Sequence, residues 1–151
     1  MPPSASATTM PYRAIAYISR AISGLRITEL DNLLVDARAH NQIANVTGIL
    51  LYDGSRFFQY FEGPADGVDR IYGRIRSSTL HHDIQELHNY PIDLPYFTQW
   101  NMGCKDVDGS VLQKLSTQQW VREAEQLQQI GPQSDSPALL DLQRFWTTDQ
   151  L

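Results

Sequence analysis

The stretch Arg56-Phe57-Phe58-Gln59-Tyr60-Phe61-Glu62-Gly63-Pro64 sets a single carboxamide among four aromatic rings. Aromatic residues favour strands, Asp53-Gly54-Ser55 ahead of the run is turn chemistry, and Gly-Pro closes it. It reads as a strand that leaves a hairpin and enters a helix. Side chains alternate along a strand, so Phe57, Gln59 and Phe61 share one face and Phe58 and Tyr60 the other. With both faces apolar, the strand belongs in the middle of a sheet covered on both sides. Gln59 is then buried. An unpaired buried amide costs about 1 to 3 kcal/mol, so Gln59 needs partners for its two donors and its acceptor.

Working outward, residues 46–52 form the other strand of the hairpin. Upstream, residues 13–19 alternate Ile15, Tyr17 and Ser19 with Ala14, Ala16 and Ile18, again a strand covered on both faces. Between these two lies a helix with Thr28 as its N-cap and Glu29 and Asp31 in the first turn, where carboxylates suit the helix dipole. It runs to about residue 41. Its inward stripe is Leu30, Leu34, Ala37 and Asn41, so an amide stands where an aliphatic side chain is expected.

Downstream, Pro64 opens a second helix with the stripe Val68, Ile71, Tyr72 and Ile75, ending near residue 77. A weaker fourth strand follows over 83–90, then a loop with two prolines over 91–96. A fifth strand over 97–104 puts Thr98, Trp100, Met102 and Cys104 on one face. Residues 109–130 carry Val111, Leu112, Leu115, Trp120, Ala124 and Leu127 at helical spacing, and residues 137–146 form a last helix. Turn-forming residues 131–136 separate them.

Strand, helix, strand, strand, helix, strand is the ferredoxin-like order, an α+β fold with both helices on one face of a sheet ordered 4-1-3-2. That order puts Tyr17 beside Gln59, and Asn41 can close the same cavity from above. Trp100 and Met102 are expected to project toward it as well. The place of the fifth strand is left open by the sequence. Helices on one face leave the other bare, and the two C-terminal helices are the material left to cover it. The expected organisation is a frayed N-terminus over 1–10, a domain over 11–105 and a helical cap over 106–151.

The 151 residues suffice for one well-filled core, and a net charge of −5 argues against a nucleic-acid surface. A single cysteine, Cys104, leaves no internal disulfide. The start of the chain lacks the pattern of a signal peptide, and no apolar run approaches membrane-spanning length, so the expectation is a cytoplasmic protein without membrane contact.

The segments Tyr17-Ile18-Ser19, His40-Asn41, Val46-Thr47-Gly48-Ile49-Leu50-Leu51-Tyr52, Phe57-Phe58-Gln59-Tyr60-Phe61-Glu62-Gly63 and Trp100-Asn101-Met102 resemble the BLUF family of flavin-binding blue-light sensors. The likeness runs from Tyr12 to Cys104. It implies a flavin, FAD or else FMN, between the two helices. In this family the tyrosine matching Tyr17 gives an electron and a proton to the light-excited flavin. The glutamine matching Gln59 relays the proton and then turns or tautomerises, which shifts the absorption to the red. The resemblance further implies flavin contacts from His40, Asn41, Arg74 and His81, and a place near the glutamine for Trp100 or Met102. The C-terminal helices that cover the bare face of the sheet are either the route of a signal to a downstream protein or a plain structural cap, and a homo-oligomer is expected. The chain departs from the family pattern at Ser78-Thr79-Leu80-His81, at Ala37 and at His40, all of which bear on the cofactor's tail.

The residue types suit that chemistry. A phenol is oxidised more easily than an aliphatic or amide side chain and becomes a strong acid when it is. A carboxamide can accept from it, donate elsewhere, and exchange those roles by turning over. Other readings are weaker. An acylphosphatase-like enzyme would need a phosphate-cradling loop after the first strand, and residues 18–24 offer Arg20 without the glycines. A cofactor-free interaction module remains if Gln59 faces another subunit. His81, His82 and His88 lack the spacing of a metal site. No enzyme motif is present, and the expectation is a sensor rather than a catalyst.

Overall fold

The computed structural model describes residues 11–104, 110–129 and 136–147, with the side chains of 126–129 and 147 excepted. The expected frayed residues 1–10 lie outside the described residues, as does nearly all of the expected linker. The elements are β1 (Tyr12–Ala21), α1 (Ile27–Ile43), β2 (Thr47–Tyr52), β3 (Arg56–Pro64), α2 (Ala65–Ser77), β4 (His81–Ile92), β5 (Trp100–Cys104), α3 (Val111–Gln129) and α4 (Pro137–Thr147). The sheet order is β4-β1-β3-β2-β5. This is the α+β, ferredoxin-like arrangement expected, and β5 takes the outer edge, parallel to β2.

β3 lies at the centre, and its residues from Phe57 to Gly63 are all buried. Its partners fix a row of side chains across the sheet. Tyr17 of β1 stands opposite Gln59, Gln59 opposite Leu50 of β2, and Leu50 opposite Met102 of β5. On this face α1 and α2 pack over two clusters. One holds Ile15, Tyr17, Phe61, Val68, Ile71 and Tyr72; the other holds Leu30, Leu34, Leu50, Phe57, Trp100 and Met102. The opposite face carries Ala14, Ala16, Ile49, Leu51, Phe58 and Tyr60 against Trp120 of α3 and Leu139, Leu142 and Phe145 of α4. The C-terminal helices therefore cover the face the first two leave bare.

Several boundaries differ from the sequence reading for identifiable reasons. α1 begins one residue before Thr28, and Arg26 occupies the N-cap position. Glu29 decides this by accepting from the Arg26 backbone N–H at 3.0 Å, which satisfies a donor outside the helix. β4 continues through Pro91 to Ile92. β4 is an edge strand, where a residue without an N–H is tolerated. β5 starts at Trp100, not at residue 97.

α3 departs furthest. It buries Gln113, Ser116, Trp120 and Glu123 and leaves Val111 73 % and Leu115 58 % exposed. The helix packs along the edge of β5, where backbone groups need partners, and Thr117 Oγ1 accepts from the Cys104 N–H at 2.9 Å. Its first turn rounds that edge to meet α1, with Ser110 Oγ and Gln113 Nε2 donating to Asp31 at 2.9 and 2.8 Å. An edge asks for polar side chains, so the hydrophobic pattern points outward. Beyond the edge Trp120 returns to the sheet, and a Cβ on Gly103 would lie 2.6 Å from its ring, so only glycine fits there.

Candidate flavin site

Between α1, α2 and the sheet lies a pocket of about 840 Å³. That volume is within the range of cofactor clefts, roughly 300 to 1,000 Å³. Six of the eight residues singled out from the sequence line it: Tyr17, His40, Asn41, Gln59, Arg74 and His81. Leu50, Phe57, Ile71, Ile75 and Leu80 supply apolar walls. Trp100 and Met102 do not line it. They are on the expected face and buried, but they pack behind Leu50 and Phe57 with Leu30, Leu34 and Cys104. β5 is separated from β3 by the width of β2, which sets both side chains one row away from Gln59.

At the floor, the Tyr17 hydroxyl donates to Gln59 Oε1 at 2.5 Å, and both side chains are buried. Burial first, and the neighbouring Tyr72 phenol second, push the Tyr17 phenol well above its ordinary pKa. Phenolate is thus disfavoured there, and Tyr17 can lose an electron at low cost only if its proton leaves with it. Gln59 Oε1 is the acceptor in place. The Tyr17 ring stacks on Tyr72 at 6.3 Å and 24° and lies 6.1 Å from the His81 ring. Tyr72 in turn donates to Glu86 at 2.8 Å.

His81 is a wall of the pocket with both nitrogens engaged. Nε2 lies 2.8 Å from the Ile75 carbonyl and so donates to it, while Nδ1 meets the Ser19 hydroxyl at 2.7 Å. This bridge ties β1 to the end of α2. It was foreshadowed by Ser19 sharing a face with Tyr17, but its helix partner is a backbone carbonyl, which no sequence pattern marks. At the mouth, Arg74 Nη2 lies 3.8 Å from Asp36 of α1, with both side chains largely exposed. Such a pair contributes little to stability and leaves the guanidinium free to take another anion.

Asn41 tests whether the site suits a flavin. Its side chain is buried at the end of α1 and lines the pocket, yet Nδ2 has no hydrogen-bond partner. A buried donor left open is costly unless a ligand acceptor meets it. A ring carbonyl of a flavin is such an acceptor. The apolar walls suit a flat aromatic system, and Arg74 at the mouth suits a phosphate. The residues present therefore fit the group.

The family model "Sensors of blue-light using FAD" matches residues 13–103. The chain belongs to the BLUF family. Photoactivated adenylate cyclase subunit beta of Euglena gracilis is 32% identical over 102 residues, covering 66% of this chain and 12% of that protein. The blue light- and temperature-regulated antirepressor BluF of Escherichia coli (strain K12) is 39% identical over 61 residues, 40% of this chain and 15% of that one. This BLUF chain thus spans only a small fraction of the curated relatives it matches. The dark-state structure of the BLUF protein BlrB superposes with a TM-score of 0.59 at 27% identity, over 64% of this chain and 73% of that one.

Proposed function

We propose that Tyr17 and Gln59 are the photochemical pair of this blue-light sensor and that FAD is its flavin, held by Asn41 at the ring, by Arg74 at the tail and by His40 along the wall. A flavin bound there supplies, on absorbing blue light, a one-electron oxidant. Tyr17 meets the demand by losing an electron while its hydroxyl proton passes along the existing hydrogen bond to Gln59 Oε1. Gln59 would take that proton on Oε1 and give up one from Nε2 towards the group that accepted the electron, so that it is left as its tautomer or turned over, with donor and acceptor exchanged. Return of both the electron and a proton to Tyr17 would restore its phenol, and relaxation of Gln59 would restore the dark pattern. His81, held by Ser19 and Ile75, keeps the Tyr17 ring from following Gln59.

The observation that carries this reading is the 2.5 Å bond between two buried side chains at the floor of the pocket. Output is read as passing to a separate downstream protein through α3 and α4, in an assembly of more than one copy. The packing of Trp120 on Gly103 supports that route, since β5 lies in the same row as Gln59 and Leu50. Adenylate cyclase and antirepressor activities are named for the relatives; for this chain the partner is best sought by pull-down in light and in darkness.

Absorption spectroscopy tests the pair. The purified yellow protein should shift its flavin band reversibly to the red under blue light. Gln59→Leu and Tyr17→Phe should each keep the colour and lose the shift. A normal photocycle in either variant removes the assigned roles.

A further inference from the structure

Glu62 does not touch the pocket. It lies on the opposite face of β3 and is fully buried. Four donors converge on its carboxylate: the Tyr60 hydroxyl at 2.6 Å, the Phe97 N–H at 2.6 Å, the Tyr96 N–H, and the Thr47 hydroxyl at 3.4 Å. Two of these come from the irregular segment between β4 and β5. Burial pushes the Glu62 carboxyl above the ordinary range. A well-packed apolar residue is often at least as stable as a buried charge at such a place, so stability alone does not account for a carboxylate here.

We propose that Glu62 is a positioning residue for the photochemical pocket, pinning the connection between β4 and β5 so that Trp100 and Met102 are held behind Leu50. Phe97 precedes Trp100 by one turn of chain, and its ring sits between Tyr60 at 5.6 Å and Trp120 at 6.3 Å. The next residues are tied to β2 as well. Gly48 N donates to the Gln99 carbonyl at 3.2 Å, and Asn101 Nδ2 donates to the Gly48 carbonyl at 3.3 Å. Thr47, the neighbour of Gly48, is itself a Glu62 partner. One carboxylate thereby joins β2, β3 and the entry to β5, and the row Gln59, Leu50, Met102 depends on that junction. The link to photochemistry rests on the function proposed above; the junction itself does not.

Two variants separate the acceptor's place from its charge. Glu62→Asp keeps the charge and withdraws the oxygens by one methylene. Glu62→Gln keeps an acceptor in place and removes the charge. Hydrogen exchange at the Tyr96 and Phe97 amides reads the junction without any cofactor, and thermal recovery of the flavin band in darkness reads the pocket. In Glu62→Asp, exchange at these two amides should rise about tenfold relative to amides of β1, as withdrawal of the acceptor from two buried N–H groups requires. Dark recovery should accelerate about threefold, since loosened β5 side chains repack over a lower barrier. Glu62→Gln should stay within about twofold of wild type in both. Unchanged exchange in Glu62→Asp overturns the junction. Faster exchange with unchanged recovery overturns its hold on the pocket. A wild-type chain that takes up no flavin sinks the photochemical reading instead, whatever the amides do.

Discussion

At the scale of single residues, buried polar groups carry the chemistry, and each can be interrogated alone. Asn41 offers an unmet donor to the pocket. Asn41→Ala should weaken flavin binding about tenfold, near 1.4 kcal/mol, as expected when a ligand acceptor loses a buried donor. Fluorescence titration of the apoprotein with FAD measures it. Glu62 gives a pH test with a definite sign. Its carboxyl sits above the ordinary 4.5 in the folded chain because it is buried. The folded state therefore keeps a proton that the unfolded state has released, and stability falls as pH rises from 4.5 through the raised value. Glu62→Gln has no such slope, so the melting temperature of wild type relative to this variant should drop between pH 4 and pH 8. An unchanged difference would contradict the burial argument. Gln59 and Asn41 were legible in the sequence because each sets an amide in an apolar pattern at a position whose facing is given by period, whereas Tyr17, an ordinary core residue by itself, was marked by its separation from them and by the family resemblance. The partners of Glu62 were not, because Tyr96 and Phe97 donate from irregular chain, where no period says which way a backbone N–H points.

At the scale of elements, the same contrast explains what the sequence showed of the sheet and what it hid. β1, β2 and β3 have two dry faces, so their alternation gave the facing of each side chain and the ferredoxin-like order gave their neighbours; the structure sets Tyr17 opposite Gln59. The location of β5 depends instead on a long connection and on an edge, which hydrophobicity does not encode. α3 was legible as a helix but not in its facing, since it lies against the edge of β5, where Thr117 meets the Cys104 N–H, and its first turn uses Ser110 and Gln113 to reach Asp31 of α1. Measured stabilities should follow the structure, not the hydrophobic stripe. Leu115→Gln, at an exposed position, should change stability by less than about 0.5 kcal/mol. Trp120→Ala removes a buried ring packed on Gly103 and Phe97 and should cost about 3 to 5 kcal/mol. Urea denaturation of the two variants distinguishes the two facings directly.

At the scale of the whole molecule, the sheet is a partition. The pocket and its two helices lie on one side, the C-terminal helices on the other, and the floor residues Tyr17 and Gln59 belong to the two central strands that both sides share. A ligand in the pocket is consequently bound to the stability of the entire chain. The unfolded chain has no pocket, so a flavin binds the native state alone and stabilises it by mass action. With free FAD at one hundred times its dissociation constant, the gain is about 2.7 kcal/mol. For a domain of this size each kcal/mol moves the midpoint by about 2 to 4 °C. Removing the flavin should therefore lower the melting temperature by about 5 to 10 °C, and adding FAD back should restore it, as followed by far-ultraviolet circular dichroism. Gln59→Leu should retain most of that stabilisation while losing the light response, if the proposed roles, with the walls and Asn41 holding the flavin and Gln59 rearranging, are those of this chain. A loss of both together in Gln59→Leu would mean that the carboxamide holds the cofactor in place, and the division between binding and photochemistry would have to be redrawn.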